Sequence, residues 1–192
     1  DTLYRVLKIA SGWFSNQLNS HSGKNALQYL KNNRHLTDGT LIAFELGYAP
    51  DNWDSLLNYF VNIEKVSLDV LESAGLIVPR KGGNGFYDRF RNRIMVPIHD
   101  RQKRVIGFGG RSLDGSEPKY LNSPETEIFE KGKNLFGLDK SALSIRKKDY
   151  AVVVEGYFDV MALHDSGITN VVASLGTALS RNQITLLSRA TD

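Results

Sequence analysis

The chain has 192 residues, 41% of them hydrophobic, which is enough for a sizeable core in one large domain or two small ones and excludes a disordered chain. It has no cysteine, no apolar run near the ~18 residues of a membrane span and no signal-peptide pattern, so it reads as a soluble chain without disulfides or thiolate metal sites, fit for a reducing compartment. Its net charge is only +3, from 24 basic and 21 acidic residues, so a surface for polyanions has to be local.

In chain order, Leu3, Val6, Leu7, Ala10, Trp13, Phe14 and Leu18 recur at helical spacing and predict an amphipathic helix. "SHSGKN" interrupts it and "ALQYLKNN" resumes helical character. Thr37 or Asp38 is expected to cap "GTLIAFEL", with Gly47 marking its end, and Asp51 or Asn52 to cap "WDSLLNYF". Ser67 opens "LDVLES", which Gly75 stops. Residues 1–78 thus read as a packed unit of short helices with little chemistry of its own.

From 79 to 148 short strands and loops are expected. "KGGNGFYD" reads as a glycine-rich loop, "RIMVPIHD" and "RVIGFGGRS" as two strands about a turn at Arg101 to Lys103, and "SEPKYLNSPET" as a polar loop. From 149 to 192 the pattern alternates: strand "YAVVVE", helix "YFDVMALHDSG", strand "NVVAS", helix "RNQITLLSRA". Such alternation predicts a parallel sheet of β-α-β units, so the whole is α+β.

Two features carry chemistry. Nine bases but only two acids fall between Arg80 and Arg111, and Phe86, Tyr87, Phe90 and Phe108 interleave them. That mixture suits a groove for a polyanion, with rings for bases to stack on; it also suits a solvated hairpin with protective basic edges. The second is "EGYFD". Glu155 ends a strand, Gly156 permits the turn, and Asp159 falls in the first helical turn, so both acids can face a crevice off the strand ends and hold a magnesium ion. Alternatively, Asp159 favours the helix N-terminus and Glu155 is simply solvated. The glycines of "GNG" and "GFGGRS" lack phosphate-loop or dinucleotide spacing and read as bends and close-approach points, with a lesser reading in which Gly109 and Gly110 admit a nucleotide. His21, His35, His99 and His164 show no ligand spacing.

"VVVEGYFDVMALHDSGITNVVASLGTAL" resembles the first half of a Toprim module, the metal-binding fold of bacterial primases, topoisomerases and related nucleases. "YDRFRNRIMVPIHD", "RVIGFGGRS", "PKYLNSPET", "FEKGKNLFGL" and "SLGTAL", with "YLKNNRHLT" and "ELGYAPDNWDSLL" upstream, resemble the RNA polymerase domain of bacterial DnaG-type DNA primases over nearly the whole chain.

The resemblance implies synthesis of short RNA primers from ribonucleoside triphosphates on single-stranded DNA, with Mg2+ or Mn2+. It implies that Glu155 binds metal or serves as acid/base with Asp159 in support. Arg111, Lys119, Tyr120 and Lys131 match positions facing nucleotide or nucleic acid, and Arg89, Arg91 and Arg93 would join the same basic surface. At Arg34 the sequence departs from the family: His35 stands where a glycine is expected, and the loop is one residue longer.

The first residue is Asp1, not methionine, so the segment is expected to be cut from something longer. The family's later aspartate pair is expected beyond Asp192, its zinc module upstream and its helicase-binding domain downstream, leaving an incomplete metal site and an inactive isolated fragment. The resemblance also implies a cytoplasmic, nucleoid-associated protein, or one of an organelle stroma or matrix, with no membrane partner. A nucleic-acid-binding module with a vestigial metal site, or another Toprim enzyme such as a nuclease or topoisomerase, are the competing readings.

Overall fold

Helix α1 (Thr2–Leu18) places Val6, Leu7, Ala10, Phe14 and Leu18 in the interior, as the spacing predicts. In the computed structural model, residues 2–176 and 178–191 are described. Helix α2 (Lys24–Gln28) runs directly into a π-turn (Tyr29–Asn33), and α3 (Asp38–Ala43) follows with Thr37 as its cap, accepting from the Thr40 N–H. Gly47 does not mark the end of that helix. It opens strand β1 (Gly47–Ala49), where a Cβ would lie 2.5 Å from that of Phe14, so glycine lets α1 close on the strand.

Helix α4 (Ser55–Asn62) starts later than expected, with Asp54 at the cap position and neither Asp51 nor Asn52. Helix α5 (Leu68–Ser73) follows Ser67 and stops before Gly75, whose φ is +70°. Strand β2 (Ile77–Pro79) then pairs antiparallel with β3 (Phe86–Asp88) around the glycine-rich loop. The helical part therefore contains strand residues that its pattern did not reveal.

Strands β4 (Arg93–His99) and β5 (Val105–Ser112) form the predicted hairpin, and β6 (Tyr120–Asn122) extends it from within the segment expected to be a polar loop. The sheet order is β1-β4-β5-β6, antiparallel throughout. Its pleat serves two cores: Ile94, Val96 and Ile98 face one, Met95 and Phe108 the other, which also receives Phe14 and Phe60.

The unit expected to hold only strands and loops also contains helix α6 (Leu138–Lys148). After it come β7 (Val152–Val154), α7 (Tyr157–Asp165), β8 (Val171–Ala173) and α8 (Arg181–Ser188), with β7 and β8 parallel as predicted. Val171 and Ala173 join the core that holds Val160 and Met161 of α7; Val172 joins Leu138 and Ile145 of α6. Phe136 bonds the far edge of β8 through Ala173, at 2.9 and 3.1 Å, which leaves β7 as the outer strand. Asp165, at the end of α7, accepts from the Thr37 N–H at 3.1 Å and from the hydroxyls of Thr37 and Thr40, fastening this layer to α3.

Candidate nucleotide and nucleic-acid site

Strand β7 stops at Val154 because Glu155 and Gly156 bend the chain into α7. Glu155 and Asp159, four residues apart across that bend, are both exposed and both line a cleft of about 330 Å3 with Tyr120, Asn122, Tyr157 and Ser174. They share a second hollow with Val154, Ala162 and Leu163. Neither takes part in any of the ion pairs found among the described residues. Two free carboxylates at one crevice mouth suit part of the oxygen shell of a hard divalent cation, with water and phosphate completing it. Among the described residues no group of three or more His, Cys, Asp or Glu could hold a metal, and Asp192 lies outside them.

Four segments lock this cleft. A Cβ on Gly109 would sit 2.4 Å from the Tyr157 ring, so only glycine admits that ring against β5. The Tyr157 hydroxyl donates to Asn122 Oδ1 at 2.5 Å, and Asn122 Nδ2 donates to the Leu175 carbonyl at 3.2 Å. Burial holds the Tyr157 phenol well above its ordinary range, so it stays a neutral donor. Asn122 was not singled out in the sequence; its place two residues after Tyr120 on a strand, hence on the same face, is the signal that would have found it.

Beside the acids stands a ladder of arginines and rings. Arg111 donates to the Tyr120 hydroxyl at 3.0 Å, and its guanidinium lies 5.3 Å from the Tyr120 ring and 5.2 Å from that of Tyr29. Arg34 donates to the Tyr29 hydroxyl at 2.8 Å and stacks 4.6 Å from the Phe158 ring. The π-turn makes this possible, since the Arg34 N–H bonds the Tyr29 carbonyl at 3.1 Å, five residues back. His35 then adopts φ +55°, the left-handed conformation that a glycine enters without strain. Arg34 is thus tied through Tyr29 to Arg111, although neither Arg34 nor Tyr29 lines the acidic cleft itself.

The remaining basic residues do not form one surface. Tyr120 and Asn122 line the acidic cleft, whereas Leu121 between them lines a different groove of about 490 Å3, with Arg89, Arg91, Arg93, Trp53 and Tyr87. Arg93 is buried and donates to the carbonyls of Pro118 at 2.8 Å and Gly110 at 3.3 Å, and burial pushes its pKa down. Arg91 donates to the Asp88 carbonyl at 2.5 Å and lies 4.2 Å from the Trp53 ring. Arg89 is half-buried, its pKa is also lowered by burial, and its Nε has no partner. Gly110 makes room for Phe90 and Arg93, so both glycines of "GG" serve side-chain approach. Lys119 is exposed, and Lys131 sits in a short 3-10 turn (Lys131–Lys133) whose first carbonyl accepts from buried Gln183 at 3.0 Å.

The fold thus has two parts, a parallel β-α-β layer with acids at its crevice and an antiparallel sheet edged with arginine and tyrosine. The description "DNA primase catalytic core, N-terminal domain" matches residues 13–142, and "Toprim domain" matches 149–192. The chain belongs to the DnaG-type DNA primase family.

A DNA primase of Synechococcus elongatus is 57% identical over 189 residues, 98% of this chain but 27% of that protein. A DNA primase of Deinococcus radiodurans is 49% identical over 97% of this chain and 32% of its own length. The chain thus spans about a third or less of these curated relatives. A DnaG primase catalytic domain solved bound to single-stranded DNA superposes with a TM-score of 0.90 at 43% identity, covering 99% of this chain and 60% of that one. The RNA polymerase domain of Mycobacterium tuberculosis primase, in complex with a double-stranded DNA oligomer with an overhang, gives 0.90 at 38% identity, covering 98% and 59%.

Proposed function

We propose that this chain is the nucleotide- and template-handling part of a primase that makes short RNA primers on single-stranded DNA from ribonucleoside triphosphates. The observation that carries the reading is the shared cleft of Glu155, Asp159, Tyr120 and Asn122, with Arg111 beside it. The family membership and the DNA-bound relatives support the same reading. Within it the chain has three working parts, 1–78, 79–148 and 149–192, as its sequence suggests.

The reaction joins a primer 3′-hydroxyl to the α-phosphorus of an incoming triphosphate and expels pyrophosphate. A divalent cation, Mg2+ or Mn2+, supplies charge neutralisation when bound at Glu155 and Asp159. The chain's own residues do the positioning. Arg111 and Arg34, already oriented by Tyr120 and Tyr29, offer cations to the phosphates, with Lys119 and Lys131 as further contacts. Tyr157 and Asn122 fix the cleft walls so that the acids meet the substrate without rearrangement. Zinc and the replicative helicase belong, on this reading, to other parts of the protein, which works at the nucleoid in the cytoplasm.

The test is primer synthesis by the full-length protein carrying Glu155→Gln. Synthesis is expected to fall at least about a hundredfold, while binding of single-stranded DNA persists. Unchanged synthesis by that variant would reject the assignment and leave a binding module.

A further inference from the structure

We propose that Asp165, at the opposite end of α7 from the acids, is a positioning residue for Arg34. By holding Thr37 it fixes, relative to the acidic cleft, the loop that presents this arginine to the phosphates of an incoming nucleotide. This rests on the nucleotide reading above and adds to it a residue that touches no substrate. Helix α7 meets the loop 34–37 twice. In its first turn the Phe158 ring lies 4.6 Å from the Arg34 guanidinium, and the neighbours of Phe158 in sequence, Tyr157 and Asp159, line the cleft. Seven residues on, two helical turns along the same face, Asp165 accepts from the Thr37 N–H at 3.1 Å, from the Thr37 hydroxyl at 2.8 Å and from the Thr40 hydroxyl. His164, beside it, meets the Phe44 ring edge-on at 5.2 Å at the far end of α3. Two adjacent residues of α7 thus hold α3 at both its ends.

The loop needs such a hold. Just after Arg34 the chain leaves its π-turn, and His35 takes φ +55°, a left-handed conformation that a residue with a Cβ enters at a cost. Strain of this kind persists where the surroundings over-determine it. Leu36 is buried and its N–H bonds the Leu30 carbonyl at 3.1 Å, which leaves Thr37 as the other end to be fixed. The Lys31–Asp38 ion pair also spans the loop, at 2.7 Å, but both side chains are exposed, so it contributes little. At Asp165 desolvation raises the pKa, and the bonds from Thr40 and Thr37 lower it by more. The carboxylate is therefore ionised at neutral pH, and its three bonds are charge-assisted. Asp165 lies at the surface, so these bonds fill no core. What they fix is the place of the loop, and with it the place of Arg34.

The test measures binding of ATP with Mg2+ to the full-length protein, without template so that no primer forms. Asp165→Ala opens no cavity, and it is expected to weaken binding about tenfold, as loss of an outer partner does for other ligand-holding side chains. In a protein that already carries Arg34→Ala the same change is expected to have no further effect, because a positioning residue acts only through the group it positions. A merely structural role would weaken binding equally in both backgrounds. Equal affinity of wild type and Asp165→Ala, or an equal loss with and without Arg34, overturns the positioning role alone. Failure of the wild type to bind ATP, or binding by Arg34→Ala as tight as that of wild type, overturns the nucleotide reading on which it rests.

Discussion

Asp88 supplies the acid of "YDRFRNR", yet it works at a helix end and not in the groove. It is 1% exposed and accepts from the N–H groups of Leu56 and Leu57, capping α4 from β3 where Asp54 makes no such bond. Burial pushes its pKa up to about 6, against the lowering effect of those two bonds. In the unfolded chain an aspartate titrates near ~3.9, so the folded state holds this proton more tightly. The resulting stability is complete below about pH 4 and is lost as the pH rises through 6. Asp88→Asn has no such titration. The advantage of wild type over that variant in urea unfolding is therefore expected to shrink between pH 4 and 7, by on the order of 1–3 kcal/mol; a difference independent of pH would contradict the assignment. Glu155 and Asp159 were legible at this scale because two acids around a glycine at a strand end form a short local pattern. Asp88, Asn122 and Arg34 were not, because each acquires its role from a partner distant in sequence or from a π-turn.

At the scale of elements, the legible ones carried a long apolar stripe or a run of valines. Helix α1 and the β7-α7-β8 unit stand where the apolar spacing put them. Strands β1, β2 and β6 have three residues each, as β7 and β8 do, but they mix glycine, proline and asparagine with apolar residues, so no strand pattern registers against background. Helix α6 escaped for another reason: of its inward positions Leu138, Ser141 and Ile145, the middle one is polar and bonds the Val171 carbonyl at 2.6 Å, so its apolar stripe is too thin to read. The contact between β5 and α7 is equally invisible locally, although "GG" hinted at a close approach. Gly109→Ala would push a methyl into the Tyr157 ring. It is expected to cost about 1–3 kcal/mol of stability and to lower primer synthesis by the full-length protein, measured by thermal unfolding and by primer yield. Full stability and activity in that variant would mean the ring has room elsewhere.

For the whole molecule, the basic tract that looks like one surface in the sequence is divided by the pleat. Arg111 and Tyr120 face the acidic cleft; Arg89, Arg91 and Arg93 line the groove behind it. Salt dependence of binding to single-stranded DNA should distinguish their roles. Arg111→Ala is expected to reduce the slope of log affinity against log salt by about one. Arg93→Ala, which removes bonds to two backbone carbonyls, is expected to lower the melting temperature and leave that slope nearly intact. Equal slope changes for the two variants would restore a single basic surface.

The sequence by itself determined the class of fold, the family, the order of helix and strand in the last third, and the pair of acids at the strand end. Those follow from local chemistry: spacing of apolar side chains, a glycine at a turn, motifs a few residues long. Only the tertiary structure decided which arginine stands beside the cleft, that Tyr29 links Arg111 to Arg34, and that Asn122 and Tyr157 lock its walls. A strand sends neighbouring residues to opposite faces, and burial turns some cations into supports for the backbone, so nearness along the chain does not fix nearness in space.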